Sequence, residues 1–99
     1  MKFDESYTLL EDMLEDSSFP KKLTGKLKHQ LQQVISMLEQ GKPSLEKIQA
    51  AFDRMTQGVN PLVAECPDAA EIVAADVLYI LDWFELNLTV EEALRKRNW

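Results

Sequence analysis

Apolar side chains recur every three or four positions along most of the chain, the period of one face of an α-helix. Phe3, Tyr7, Leu10 and Leu14 follow this spacing and predict a first helix over about 3–15, with Asp4 and Glu5 in its first turn. Asp16-Ser17-Ser18 ends it. Leu23, Leu27, Leu31, Val34, Ile35 and Leu38 form the longest stripe and predict a second helix from about Pro20 to Gln40. Pro20 suits a first turn, and Gly41 with Pro43 supplies the stop. Gly25 lies inside this pattern, costs about 1 kcal/mol relative to Ala, and is read as room for a close approach of the first helix.

Ser44 is a good N-cap for a third helix whose inner face is Leu45, Ile48, Phe52 and Met55. Gly58 and Pro61 interrupt it, yet Val59, Leu62, Val63 and Cys66 keep the same phase. The expectation is therefore a third helix kinked near Gly58-Pro61, or two helices nearly in line. After Pro67, Ala70, Val73, Val77, Ile80, Leu81 and Phe84 predict a fourth helix over about 68–86. Its wide apolar arc makes it the expected central helix, with Asp68, Glu71, Tyr79 and Asp82 opposite the arc and Asn87 as the stop. Thr89 and Glu92 match a capping box and open a short fifth helix. Arg95, Lys96 and Arg97 follow at its negative end, and Trp99 is expected to pack back. These elements describe an all-α fold, a compact bundle of four to five helices in a single domain over 1–99.

Composition supports this picture: 99 residues with 45% hydrophobic content suit one modest core, and only three glycines and four prolines break the chain. The most apolar stretch, 69–88, contains Glu71, Asp76, Asp82 and Glu85, which marks a buried helix of a soluble protein and no membrane span. Cys66 is the single cysteine, so no intrachain disulfide forms, and the N-terminus lacks the apolar run of a secretory signal. Both point to the cytoplasm. The net charge of −6 is distributed unevenly. Residues 17–30 carry four lysines and no acid, whereas residues 61–92 carry eight acids and no base. A negative field of this kind disfavours phosphate backbones and anionic membranes as partners.

Candidate chemistry is sparse. Cys66 precedes a helix start, where a thiolate can be stabilised, but Glu65, Asp68 and Glu71 surround it and oppose that charge. It is read as a structural cysteine. His29 is the single histidine and falls away from the leucine stripe, near Lys26 and Gln33, which gives a solvated side chain. The carboxylate pairs Glu11/Glu15 and Asp12/Asp16 come without a Glu-x-x-His motif, so no metal site and no cofactor is expected. Neither a phosphate-binding glycine loop nor a G-x-S-x-G motif is present. Asn87-Leu88-Thr89 fits the glycosylation pattern, which has no meaning in a chain without a secretory signal. Lys21, Lys22, Lys26 and Lys28 are read as a solvated face or as partners of the acids of the first helix. Tyr79 and Trp83, with Asp76 and Asp82 beside them, are the residues singled out as a partner surface, with core packing as the competing reading.

Phe19-Pro20, Leu23, Lys26-Leu27-Lys28, Lys42-Pro43 and the terminal Arg97-Asn98-Trp99 resemble an uncharacterised family of small all-helical bacterial proteins, a domain of unknown function. The resemblance spans about 7–99, and Asn98 departs from the Arg-Asp-Trp ending more usual there. It implies a helical cytoplasmic bacterial protein and carries over no site residue. No activity is specified by these residues. The favoured reading is a non-enzymatic interaction protein that binds a basic partner protein through an acidic helical face. The alternative is a small-molecule-binding or enzymatic domain with an inter-helix pocket. Nucleic-acid binding through Lys21–His29 is disfavoured by the acids of the first helix. Homodimerisation is left open, with Tyr79 and Trp83 the first place to look.

Overall fold

A computed structural model describes all residues, 1–99. Its elements are α1 (Glu11–Glu15), α2 (Lys21–Glu39), α3 (Leu45–Glu65), α4 (Ala69–Trp83) and α5 (Val90–Ala93), with no strand. The bundle is all-α, as the periodicity requires. Leu27, Phe52 and Val77 from three different helices are fully buried in one core.

The second helix follows its stripe closely. Leu23, Leu27, Leu31, Val34, Ile35 and Leu38 are all buried, and Pro20 and Gln40 are the caps. Gly41 follows at φ +155°, a conformation L side chains rarely adopt. Gly25 does not serve the close approach expected of it, because a Cβ there would meet no atom within 4 Å. The tight contact lies instead at Gly58, where a Cβ would come within 2.7 Å of the Gln30 side chain. Gly58 thus helps α3 lie against α2, the most extensive helix pair in the molecule.

α3 runs unbroken through Gly58 and Pro61 from Leu45 to Glu65, so it is one helix and not two in line. Pro61 leaves the Gln57 carbonyl without its helical donor, a loss the rest of the helix absorbs. The Ser44 hydroxyl accepts the Lys47 N–H at 3.3 Å, as an N-cap should. Leu45, expected on the inner face, is 54% exposed because it sits at the open end of the stripe. α4 packs on α1, α2 and α5, so the central place expected for it is shared with α2.

The chain departs most from expectation at its start. Residues 3–10 are not helical, and only Glu11–Glu15 form α1. Asp4 Oδ1 accepts the backbone N–H and the hydroxyl of Ser6, a local turn that competes with helix. A helix would send the Leu10 N–H to the Ser6 carbonyl. It donates instead to Asp76 Oδ2 at 2.7 Å. Leu10 takes φ +55° as the N-cap of α1, and Leu14, expected inside, is 55% exposed. We call residues 1–9 the arm.

α4 ends at Trp83, four positions before the expected stop. The Leu86 N–H bonds back to the Leu81 carbonyl and the Glu85 N–H to the Asp82 carbonyl. Glu85 adopts φ +53° to make this possible. The pattern is a Schellman motif with glutamate where glycine is usual. α5 carries the expected capping box: Thr89 Oγ1 accepts the Glu92 N–H, and Glu92 Oε1 accepts the Thr89 N–H, both at 3.1 Å. Trp99 packs on the core with the Arg97 guanidinium over its ring.

Candidate functional site: the arm anchor and the outer face of helix 4

Asp76 is the polar centre of the bundle. It lies on the same side of α4 as Val73, Val77 and Ile80 and is 4% exposed. Oδ1 accepts the Tyr7 hydroxyl at 2.6 Å and Oδ2 the Leu10 N–H at 2.7 Å. Burial pushes its carboxyl above the usual carboxylate range, and the two donors pull in the other direction. Tyr7 is shifted far upward in turn, by burial and then by the adjacent carboxylate. With the arm seated Asp76 is not on the surface, and its place in the predicted exposed partner surface is corrected: it anchors the arm. The signal was in the sequence, since positions 73, 76, 77 and 80 share one helical face.

Aromatic rings continue this anchor outward. Tyr7 stacks on Tyr79 with centroids 3.8 Å apart. Phe3 stacks on Phe84 at 5.9 Å and sets its edge against Tyr79 and Trp83. The Tyr79 hydroxyl donates to Asp4 Oδ2, which raises the phenol above its ordinary pKa, while Ser6 and then Tyr79 lower that of Asp4. Trp83 Nε1 donates to the Lys2 carbonyl at 2.9 Å, and the Phe3 N–H donates to Glu39 Oε2 at 2.7 Å. Tyr79 and Trp83 are therefore half-buried beneath the arm. Of the four residues singled out, Asp82 alone is exposed.

The other side of α4 is solvent-facing. Glu71, Ala75, Leu78, Asp82 and Glu85 follow steps of three and four and are all exposed, Leu78 to 50%. None of these three acids has a cationic partner within ion-pair distance, for the two ion pairs of the molecule are Arg95–Asp53 and Arg97–Glu91. Arg95 grips Asp53 through Nε and one terminal nitrogen, at 3.0 and 2.7 Å, and holds that carboxyl below its usual range. Nothing in the sequence periodicity pointed to this pair, which joins α3 to the segment after α5.

The remaining candidates stay apart. Lys21, Lys22 and Lys26 are exposed and Lys28 half-buried, and none pairs with an acid, so the patch is a solvated face. His29 is exposed, with Nε2 3.1 Å from Gln33 Nε2. Cys66 caps α3 and packs partly against the core. No three of the His, Cys, Asp and Glu side chains are placed to hold a metal ion. Two open grooves of about 500 Å³ exist. One lies between the arm and α2, beside Tyr7, Lys28 and Glu39; the other lies between α3 and α5, beside Leu45, Asp53 and Arg95. In neither does a nucleophile meet a base. No helix is long and apolar enough to cross a membrane.

Comparison with known proteins agrees with the resemblance seen in the sequence. No curated protein and no solved structure matches the chain. A model for a family of unknown function, DUF5713, matches residues 3–99, and the chain belongs to that family.

Proposed function

We propose that this protein is a non-enzymatic interaction module of the cytoplasm that binds a basic partner protein through the outer face of α4. The observation that carries this reading is Leu78, half exposed in a row with Glu71, Asp82 and Glu85, none of them in an ion pair. A central apolar contact with a charged rim is how many protein interfaces are built. Small Ala75 beside Leu78 lets a partner approach the helix closely. Unpaired acids steer a basic partner without first having to break bonds of their own. The cytoplasmic assignment rests on Cys66, which leaves no intrachain disulfide.

Affinity capture from lysate tests this reading, with wild type and a Glu71→Lys/Asp82→Lys variant compared at low salt and at about 0.5 M salt. We expect a basic protein retained by the wild type at low salt, released at high salt and lost with the variant. Equal capture by the variant would remove α4 as the binding face.

A further inference from the structure

The arm is held by an unusual set of bonds. Its backbone makes one internal bond to backbone, Tyr7 N–H to the Asp4 carbonyl, and joins no sheet. Apart from the Asp4–Ser6 turn and the edge of Phe3 on Tyr7, its polar and aromatic contacts are made with side chains of the bundle: Glu39 on α2, and Asp76, Tyr79, Trp83 and Phe84 on and just after α4. Such a seat is specific in geometry. It has an acceptor for the Tyr7 hydroxyl, a ring for Tyr7, a ring for Phe3 and a donor for the Lys2 carbonyl. The segment that fits it is one with the arm's own sequence. The junction between arm and bundle is Leu10, a non-glycine residue held at φ +55°. A left-handed leucine costs about 1–2 kcal/mol, and a short strained hinge favours exchange of the segment it tethers. Opening the hinge to an extended conformation removes that strain and carries the arm away from its own bundle.

We propose that the seat on α4 is also an interface between copies of this chain, in which the arm of one molecule docks on Asp76, Tyr79, Trp83 and Phe84 of a second, and reciprocally. The exchanged pair keeps every arm contact of the single chain. It gains the relaxed hinge twice over and loses the freedom of two independent molecules. Association costs several kcal/mol, so the exchanged form appears at high protein concentration and the closed form prevails when dilute. This interface lies on the aromatic side of α4 and is separate from the exposed Glu71–Asp82 face.

The test uses full-length chains in a Cys66→Ser background. One carries Lys2→Cys and the other Asp82→Cys, one position before Trp83, whose indole binds the Lys2 carbonyl. The two are mixed at high concentration, warmed briefly to let arms exchange, and treated with a short flexible bismaleimide. We expect a covalent pair of unlike chains, with a light-scattering mass that rises from one copy to two as concentration increases. A chain bearing both cysteines is the control and links to itself when dilute. Leu10→Gly, which accepts a positive φ without strain, is expected to weaken pairing about tenfold or more. A single-copy mass at every concentration, or a two-copy mass without the cross-chain link, overturns the proposal. So does a Leu10→Gly chain that pairs as well as wild type. Should that variant fail to fold, the cross-link decides alone.

Discussion

Both oxygens of Asp76 are occupied by donors from the arm and its junction, so truncation of this one side chain orphans two groups at once. A buried donor left without a partner costs about 1–3 kcal/mol. Asp76→Ala is therefore expected to destabilise the fold by about 2–4 kcal/mol in urea unfolding. Tyr7→Phe, which leaves the Leu10 N–H bond in place, should cost about 1 kcal/mol. A loss below that level for Asp76→Ala would mean that the arm is not held by this carboxylate. The shift of Asp76 also fixes a sign. Burial raises its folded pKa above the ordinary 3.8. Between the two values the folded chain binds more protons than the unfolded one, so the contribution of Asp76 is fully present below pH 3.8 and is lost as pH rises through the folded pKa. Asp4, Asp16 and Asp53 are shifted downward and act oppositely, adding stability above 3.8 that is lost as pH falls through their folded values. The stability of wild type minus that of Asp76→Asn should therefore decline as pH climbs from below 3.8 and then level off. A difference that is flat across this range, measured by urea unfolding at each pH, would show that burial does not control the group.

Two positions, one in the turn after α4 and one within α2, carry a backbone conformation that the local residue does not favour, and each gives a stability prediction. Glu85 sits at φ +53° in the turn that closes α4. Glu85→Gly keeps both carbonyl bonds of that turn and removes the strain, so we expect it to stabilise by about 1 kcal/mol. Gly25 lies within α2, exposed, with nothing near a Cβ. Gly25→Ala should stabilise by about 0.5–1 kcal/mol from helix propensity alone. Gly58→Ala must first displace the Gln30 side chain and should gain less. Thermal unfolding of the three variants checks this order, and a destabilised Gly25→Ala would reveal a contact at that face. The same positions show what was legible beforehand. α2, the N-cap of α3 and the capping box of α5 depend on residues within a few positions of one another, so periodicity and capping chemistry located them. The arm does not. Its conformation is decided by Asp76, 66 positions from Leu10 along the chain, and the spacing of Phe3, Tyr7, Leu10 and Leu14 imitates a helix that this long-range bond prevents. The end of α4 was hidden for a similar reason, since a glutamate in place of glycine gives no stop signal. Of the residues singled out on α4, Asp82 fits an exposed face. Asp76 is better recognised by its apolar neighbours on the helix, Val73, Val77 and Ile80, than by its charge.

Charge acts at the scale of the whole molecule. The bundle measures 38 × 30 × 18 Å and carries a net charge of −6. Screening lengths are about 30 Å at 0.01 M ionic strength and about 8 Å at 0.15 M. In dilute buffer every exposed acid therefore feels the others across the molecule. Of the eight acids between 61 and 92, seven are exposed, and Glu91 alone among them has an ion-pair partner. The attractions are short: Arg95 to Asp53 at 2.7 Å and Arg97 to Glu91 at 2.5 Å. Added sodium chloride weakens the many distant repulsions more completely than these two contacts. Stability at neutral pH should then rise with salt over this range, and each gain of about 1 kcal/mol would lift Tm by roughly 4–8 °C for a domain of this size. Asp82→Lys places a positive charge in the acidic stretch of α4 and should flatten that dependence. A Tm that falls with salt in the wild type would mean that the paired contacts outweigh the repulsion, leaving no excess negative field to steer a basic partner toward α4.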